Sequence, residues 1–342
     1  MESLELIANG EFNLVDKTSP TIKANQCLIR ISACGVCSTD IYRSHDNGAY
    51  FYPLVMGHEI AGRVEAVGEE ARQFSIGDEV AVFPLIPCFS CEACDKENFM
   101  LCHDYSYHGS RCDGGYSELL AVNAWNLLKL PEGVDINDAA FLEPTSVLVH
   151  AMRKSDLWEA SRQKVLIIGS GFLGLILAQI LATRNAGHEI WVTDRNAFKL
   201  DMLPASVNKA TSPDDIKGQI FDTVFEGTGS ADGVGLAIEN VGRSGTICLL
   251  GNPSSAVTIE QNLFGQILRK EVRVQGSWNS AFRHDPDDDW SHVLTLMQQG
   301  LKPSQFVSHE FGLEGVPNFL RNCWNHKSGV NRFSHIKGLV SP

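Results

Sequence analysis

Three kinds of sequence are missing from this 342-residue chain: long uninterrupted hydrophobic runs, runs of like charge, and repeats. The most apolar stretch, residues 165–182, is interrupted by three glycines. It therefore predicts a strand, a turn and a buried helix rather than a membrane span. The start of the chain lacks the basic residues and the apolar segment of a secretory signal peptide, so we expect a cytoplasmic protein.

Positive charge is also scarce, because 28 Lys and Arg stand against 41 Asp and Glu, a formal net charge of −13. An acidic surface repels phosphate backbones and anionic lipids, so we expect neither nucleic acid nor a membrane as a partner. Apolar residues make up 44% of the chain and charged residues 20%. This composition is typical of a globular protein with substantial cores.

Three zones of the chain differ in their pattern. Residues 1–149 contain short β-rich runs between Gly and Pro turns, such as Gln26–Ser32, which predict a partly open β-barrel or a folded-over sheet. Residues 150–281 alternate strands with helices, which predicts a doubly wound parallel sheet. We expect residues 282–342 to return to the first domain. The predicted fold class is α/β, with strands in the second zone at Lys164–Ile168, Glu189–Thr193, Thr223–Glu226 and Thr246–Leu250.

A G-x-G-x-x-G pattern at residues 169–174 directly follows the apolar run at 165–168. Gly169 would permit a tight turn, Gly171 the close approach of a pyrophosphate, and Gly174 the close packing of strand and helix. Phe172 and Leu173 begin the helix whose N–H groups would bind the phosphates. This pattern predicts a dinucleotide site.

Asp194 follows Gly174 by twenty residues, at the end of the next apolar run. A carboxylate at that position accepts hydrogen bonds from the adenosine ribose and repels a 2′-phosphate. The sequence therefore favours NAD over NADP, and the neighbouring Arg195 would weaken that preference.

Ten cysteines occur in the chain, and in a cytoplasmic protein metal ligation or catalysis is a better use for them than disulfides. Four of them have the spacing C-x2-C-x2-C-x7-C, namely Cys88, Cys91, Cys94 and Cys102. Four thiolates can complete a tetrahedral shell around one structural zinc. An iron–sulfur cluster is the other metal that fits, but the sequence offers no second electron-transfer site.

A second set of candidate ligands comes from distant segments: Cys37, His58, Glu59 and Glu143. Mixed sulfur, nitrogen and oxygen ligands are typical of a catalytic zinc that keeps an open position. Spacing alone leaves the ordinary alternative open, in which each residue belongs to the core or the surface.

Three motifs occur in a fixed order: Gly57-His-Glu-Ile-Ala-Gly62-x-Val64, the four-cysteine segment and the glycine fingerprint. With them the chain resembles the zinc-containing medium-chain dehydrogenase/reductase family over essentially its whole length. The resemblance implies a GroES-like β-rich catalytic domain (1–149) with a structural zinc lobe, a Rossmann NAD-binding domain (150–281), and an active site in the cleft between them.

The resemblance also implies roles for individual residues. Cys37, His58 and Glu59 correspond to catalytic-zinc ligands, and Glu143 to the last ligand or the partner of the zinc-bound water. Thr39 stands where the family places the hydroxyl that relays the substrate proton. The family further implies two zinc ions per chain, one catalytic and one structural, and a homodimer or homotetramer.

Within the family, residues 84–91, 109–116, 264–271 and 276–278 resemble polyol dehydrogenases, including those of polyol phosphates. We therefore expect NAD-linked oxidation of a secondary alcohol of a polyol or polyol phosphate to a ketose. One departure is that Asn279-Ser280 stands where enzymes of free sorbitol carry Arg-Tyr. Arg43 is a candidate for holding a substrate phosphate, with an ordinary surface arginine as the alternative, and His45, Tyr50, Trp278 and Asn279 are further pocket candidates.

Three other functions would also use parts of this sequence. A dehydrogenase of a free polyol, sugar or cyclitol keeps the same mechanism. A non-catalytic NAD-binding protein would have lost catalytic ligands, and none of them is missing. A zinc-ribbon nucleic-acid binder conflicts with the acidic balance and with the lack of a basic stripe around the four cysteines.

Overall fold

The computed structural model describes residues 1–46, 48–184 and 186–342. The chain divides into two compact units, of which the first comprises residues 1–144 and 281–342 and the second residues 145–280. Among the described residues, no helix combines the length and the hydrophobicity that crossing a bilayer requires.

The structure is mixed α/β, as the sequence predicts. The strands are β1 (Glu2–Ala8), β2 (Glu11–Asp16), β3 (Gln26–Val36), β4 (Leu54–Val55), β5 (Glu59–Val67), β6 (Glu79–Val82), β7 (Leu85–Ile86), β8 (Ser106–Tyr107), β9 (Leu119–Asn123), β10 (Leu127–Lys129), β11 (Lys164–Ile168), β12 (Glu189–Thr193), β13 (Asn208–Ala210), β14 (Phe221–Glu226), β15 (Val241–Leu249), β16 (Arg273–Gly276), β17 (His309–Phe311) and β18 (Gly338–Val340). The helices are α1 (Ser38–His45), α2 (Glu92–Asp95), α3 (Ile136–Ala140), α4 (Leu142–Lys154), α5 (Phe172–Thr183), α6 (Ala197–Leu200), α7 (Ala231–Asn240), α8 (Gln261–Lys270), α9 (Asp289–Gln298) and α10 (Val316–Lys327).

The first unit is built on a seven-stranded sheet with the order β10-β6-β5-β3-β18-β17, in which β9 also pairs with β3. A smaller sheet has the order β2-β1-β4. Strand β3 extends to Val36, four residues beyond the predicted run, because residues 34–36 pair with β18 from the far end of the chain. Its inward side chains, such as Cys27, Ile29 and Ile31, belong to the core.

The C-terminal segment of the first unit is fixed to the N-terminal part by aromatic packing. Phe282 stacks on Phe83 with ring centroids 4.6 Å apart, and Trp290 meets Phe83 edge to face at 5.4 Å. Phe83 and Trp290 are fully buried. Such offset and edge-to-face contacts add stabilisation beyond the burial of apolar area.

The second unit is a six-stranded parallel sheet with the order β13-β12-β11-β14-β15-β16, which confirms the predicted doubly wound sheet. Strands β11 and β12 have the predicted bounds, whereas β14 and β15 begin two and five residues earlier. The apolar run of β11 suits a strand that is buried on both faces. The connection between β12 and β14 is short, and its α-helix is the four-residue α6.

Candidate metal and dinucleotide sites

The four cysteines of the 88–102 segment converge, with their Sγ atoms all within 4.8 Å of one another. Cys91 and Cys94 lie 3.6 Å apart, and Cys88–Cys94 and Cys91–Cys102 are each 3.9 Å apart. Four sulfurs at about 2.3 Å from a tetrahedral zinc are about 3.8 Å from one another. The spacing of the thiols therefore fits a zinc ion without rearrangement.

The environments of these thiols differ. Hydrogen bonds from Ser90, and then from Cys102, lower the pKa of Cys88 to about 6. Burial and its neighbouring thiols raise the pKa of Cys94 to about 12. Four thiolates side by side would repel one another, and a bound cation removes that repulsion.

The second cluster joins Cys37, His58 and Glu59, whose ligand atoms also lie within 4.8 Å of one another. Cys37 caps the N-terminus of α1, and Glu59 begins β5. Gly57 has a φ of +90°, so the backbone turns sharply before His58 and delivers the two side chains together. Opposite them, a Cβ on Gly35 would lie within 1.9 Å of a Glu59 carboxylate oxygen, and glycine leaves that space to the carboxylate.

Asp40 lies behind the cluster and contacts both Cys37 and His58, and no sequence motif predicts this role. Its carboxylate is completely buried and accepts hydrogen bonds from the Cys37 N–H and the Tyr116 hydroxyl, both at 3.0 Å. Its other oxygen lies 3.6 Å from His58 Nδ1 and 3.5 Å from a guanidinium nitrogen of Arg43. Burial alone would lower the pKa of His58, but the charge of Asp40 raises it well above its usual value.

Lys337 supports Glu59 from the other side. Its Nζ donates to Glu59 Oε1 at 2.6 Å, and both side chains are buried. Glu59 Oε2 is buried and has no hydrogen-bond partner among the described residues. A buried carboxylate oxygen beside a thiol and an imidazole is a donor set that suits Zn²⁺, so the residues present fit the ion that the sequence predicts.

Glu143, the remaining predicted ligand, lies beside this cluster and is not one of the three residues that converge. One of its oxygens accepts a hydrogen bond from the Tyr107 hydroxyl at 3.2 Å, and the Tyr107 ring lies 5.7 Å from that of His58. Burial, and then the charge of Glu59, raise the pKa of Glu143 to about 7, although the charge of His58 opposes them. Thr39 is half-buried in the first turn of α1.

The glycine loop of the second unit has the form that a pyrophosphate requires. Gly169 has a φ of +100°, which a glycine adopts without strain. A Cβ on Gly174 would lie 2.0 Å from the carbonyl oxygen of Gly169, whereas one on Gly171 would meet nothing within 4 Å. The open space at Gly171 lies at the N-terminus of α5, where Phe172 and Leu173 begin the helix.

Asp194 stands at the end of β12, beside this loop. Its Oδ2 accepts a hydrogen bond from the Ser170 N–H and its Oδ1 one from the Asn196 N–H, both at 2.8 Å. The carboxylate is therefore fixed at the edge of the loop, and Arg195 next to it is exposed. At the end of β14, which pairs with β11, Glu226 accepts hydrogen bonds from the Thr228 and Gly229 N–H groups, an arrangement that sequence reasoning missed.

The predicted substrate contacts occur in both units. In the first unit, Arg43 is tied to Asp40, His45 Nδ1 lies 2.7 Å from the Ser44 hydroxyl, and Tyr50 is 70% exposed. In the second unit, Trp278 is 57% exposed. Asn279 has a φ of +54° and accepts the N–H of Ser280 with its own side chain, so local backbone geometry accounts for it.

Family models match most of the chain. The family model "Alcohol dehydrogenase GroES-like domain" matches residues 23–132, and "Glucose dehydrogenase C-terminus" matches residues 136–313. Galactitol 1-phosphate 5-dehydrogenase of Escherichia coli strain K12 is 30% identical over 337 residues, covering 94% of this chain and 96% of that protein. L-threonine 3-dehydrogenase of Aliivibrio fischeri is 28% identical over 316 residues, covering 88% and 89%. The crystal structure of galactitol-1-phosphate dehydrogenase from Escherichia coli aligns over 100% of both chains with a TM-score of 0.89 and 28% identity.

Proposed function

The chain belongs to the zinc-containing medium-chain dehydrogenase/reductase family, among its polyol dehydrogenases, and we propose that it oxidises a secondary alcohol of a polyol or polyol phosphate to a ketose, with zinc and NAD. The observation that carries this proposal is the buried cluster of Cys37, His58 and Glu59, in which one carboxylate oxygen is held by Lys337 and the other is left for a cation.

In this proposal Cys37, His58 and Glu59 hold the catalytic zinc. The ion supplies Lewis acidity, which makes a nearby alcohol hydroxyl more acidic. Lys337 keeps Glu59 Oε1 occupied, so that Oε2 would be available to the ion. Asp40 orients the His58 ring and the Cys37 backbone, as partners behind metal ligands commonly do.

The substrate proton needs a path out of the site. We propose that the hydroxyl of Thr39, two residues after Cys37, accepts it and passes it on. Glu143, with a pKa near neutrality and its link to Tyr107, is proposed either to bind the ion as an additional ligand or to hold a water molecule beside it.

NAD is the proposed hydride acceptor, because the nicotinamide carries that chemistry. The loop at residues 169–174 would cradle the pyrophosphate, with Gly171 giving it room. Asp194 would accept hydrogen bonds from the adenosine ribose and would repel the 2′-phosphate of NADP. Arg195, which is exposed beside it, would reduce that discrimination.

The four cysteines at 88, 91, 94 and 102 are proposed to hold the structural zinc. Because all four positions of a tetrahedral shell are then taken by thiolates, this ion would have no position for a substrate. Its contribution would be to stabilise the 88–102 segment, whose only α-helix is the four-residue α2.

We further propose a homodimer, or a tetramer built from two such dimers, formed along the edge of the second unit's sheet. Within the described part of the chain, β16 pairs only with β15, and its Val274 is 46% exposed. Phe264 and Leu268 of the adjacent α8 are 54% and 66% exposed. An open edge flanked by exposed apolar side chains is a surface that a second copy can cover. Light scattering on Val274→Glu should report a species of half the wild-type mass, which is a monomer if the wild type is a dimer and a dimer if it is a tetramer.

Zinc dependence and NAD use can be tested together. Removing the metal with a chelator should abolish NADH formation, and adding back Zn²⁺ should restore it. After Zn²⁺ has been added back, metal analysis should find two zinc ions per chain. Full activity in protein that holds no metal would contradict the proposal.

A further inference from the structure

Arg111 sits on a tight turn that is tied to the metal cluster. The N–H groups of Ser110, Arg111 and Cys112 all donate to the carbonyl oxygen of Tyr107, the closest at 2.9 Å. The side chain of Tyr107 in turn contacts the ring of His58. The position of Arg111 is therefore set by a residue that borders the proposed catalytic zinc.

Glycines fix this turn against the segment that carries the metal ligands. A Cβ on Gly109 would lie 2.4 Å from the carbonyl oxygen of Gly57, and one on Gly114 would lie 2.1 Å from it. Two backbone segments can approach this closely only where both positions are glycine. Because Gly57 directly precedes His58, a shift of the turn would also move His58, a proposed zinc ligand.

The guanidinium of Arg111 lies between two aromatic rings. Its Cζ is 4.1 Å from the centroid of Tyr105 and 5.1 Å from that of Tyr50. Stacking on aromatic faces restricts a guanidinium to one plane and leaves its edge N–H groups free to donate. One of these groups donates to the carbonyl oxygen of Tyr105 at 3.0 Å.

This guanidinium also lacks the usual acidic partner. Arg30, Arg63 and Arg273 each form an ion pair with a neighbouring carboxylate. Across residues 1–46, 48–184 and 186–342, no carboxylate pairs with Arg111, although the chain has 41 acidic residues. The arrangement therefore leaves an oriented cation, with most of its donors available, on an exposed turn whose Tyr107 contacts His58.

We propose that Arg111, held between Tyr50 and Tyr105, binds the terminal oxyanion of an anionic polyol substrate, a phosphate monoester or a carboxylate. The inference rests on the proposed function, because it assigns a substrate class to the same site. A planar guanidinium binds such oxyanions through two parallel N–H groups. The exposed face of Tyr50 can pack against the carbon chain of the polyol.

Arg43, the arginine that the sequence suggests for this role, is less suited to it. Its guanidinium is only 18% exposed and lies 3.5 Å from Asp40, so a carboxylate already offsets much of its charge. Arg43 instead contributes to the environment of Asp40, where its charge helps to lower the pKa of that carboxyl.

The test is steady-state kinetics of the zinc-loaded enzyme on three substrates of equal carbon number: a hexitol 1-phosphate, a hexonate and the free hexitol. Arg111→Gln should raise KM for the anionic substrate by roughly tenfold to a hundredfold, with a much smaller effect on the free hexitol. Whichever anion shows the rise identifies the terminal group. Arg111→Lys should lie between wild type and Arg111→Gln, because the charge remains and the planar fork is lost.

Arg72→Gln is the matched control. Arg72 is exposed in the same unit and also donates to a main-chain carbonyl, that of Glu69, but no aromatic ring of the described residues contacts its guanidinium. It should leave KM unchanged for all three substrates. Equal KM values for wild type and Arg111→Gln on both anions would overturn the proposal, provided that the variant keeps its zinc content and melting temperature.

A binding measurement separates this proposal from the proposed function. Calorimetric titration of the zinc-loaded protein with inorganic phosphate should give an affinity at least roughly tenfold weaker in Arg111→Gln than in wild type. If wild type oxidises only free polyols but this difference is found, the substrate class is wrong and the oxyanion site stands. If wild type and Arg111→Gln bind phosphate alike, or neither binds it, the oxyanion site is refuted.

Discussion

Lys337 Nζ lies 2.6 Å from Glu59 Oε1, and both side chains are buried in the first unit. Two residues separated by 278 positions thus form an ion pair at the wall of the proposed catalytic zinc site. The pair fixes which carboxylate oxygen is available to the ion. It also makes the last strand of the chain, which begins at Gly338, a structural support of that site.

Replacing Lys337 with Met should destabilise the protein strongly. Removing one partner of a buried ion pair leaves an uncompensated charge and costs about 3–5 kcal/mol. Lys164→Met is the matched control, because Lys164 pairs with the half-exposed Glu189 and such pairs contribute about 0–1 kcal/mol. Thermal unfolding of the two zinc-loaded variants measures the difference. If Lys337→Met melts no lower than Lys164→Met, the buried pair does not support the site.

The two metal sites should respond differently to loss of a cysteine. Cys37→Ala should lose one zinc ion and all turnover while it keeps its fold, because the proposed catalytic ion contributes to chemistry. Cys91→Ala should lose the other ion and should lower the melting temperature, because the lobe has little core of its own. Metal analysis, calorimetry and NADH formation on both variants provide the comparison. Turnover by Cys37→Ala with a single bound zinc would refute the catalytic assignment.

Asp40→Asn keeps the shape of the side chain and removes its charge. The carboxylate faces His58 and accepts a hydrogen bond from the Cys37 N–H. The amide of the variant should therefore hold these two proposed ligands less firmly in position. Loss of a partner behind a metal ligand typically reduces metal affinity or activity by about 10–100-fold. Competition with a zinc chelator measures the affinity. Asp16→Asn, at an exposed carboxylate of the same unit, should have no such effect.

Structural features are predictable from the sequence where they depend on residues that are close together in the chain. The strands β11 and β12 were predicted with their observed bounds, because a buried parallel strand is one continuous apolar run in the sequence. Strand β3 was predicted too short, because its last residues pair with β18, some three hundred positions later. The sequence predicts that this segment returns to the first unit, but it does not predict which strand residues 338–340 pair with.

The same distinction applies to the functional side chains. The thiols at 88–102 are close in sequence, and their spacing alone predicts that they converge. Asp40 and Lys337 are charged residues that the fold buries. Lys337 belongs to no local motif, and the capping box that Asp40 forms with Cys37 does not indicate its contacts with His58 and Arg43. Polar residues are seldom buried without partners, so only the three-dimensional neighbours reveal why these two are tolerated.

Asp194→Ala should change the preference for the cofactor. Without the carboxylate that would repel a 2′-phosphate, and with Arg195 beside it, the ratio of kcat/KM for NADP to that for NAD should rise by at least roughly tenfold. Asp201→Ala, at an exposed carboxylate of the same unit, is the control and should leave the ratio unchanged. An unchanged ratio in Asp194→Ala would remove Asp194 from the proposed ribose site.

Removal of the metal should also change the reactivity of the thiols. In the metal-free protein, Cys88, with its pKa of about 6, is largely thiolate at neutral pH and should be alkylated first. Cys248 and Cys323 should stay unmodified, because burial raises the pKa of each to about 12. Mass spectrometry of peptides after short exposure to iodoacetamide gives the order. Alkylation of Cys88 at the same rate in zinc-loaded protein would contradict its assignment as a ligand.

Substrate turnover is the decisive test of the proposal that this protein is a zinc-dependent polyol dehydrogenase. Zinc-loaded enzyme should be assayed for NADH formation on hexitol phosphates and free polyols, with each substrate also run with NADP. We expect turnover of at least one hexitol 1-phosphate or free polyol with NAD, a slower rate with NADP, and none after chelation. No turnover of any substrate by protein that holds two zinc ions per chain would contradict it.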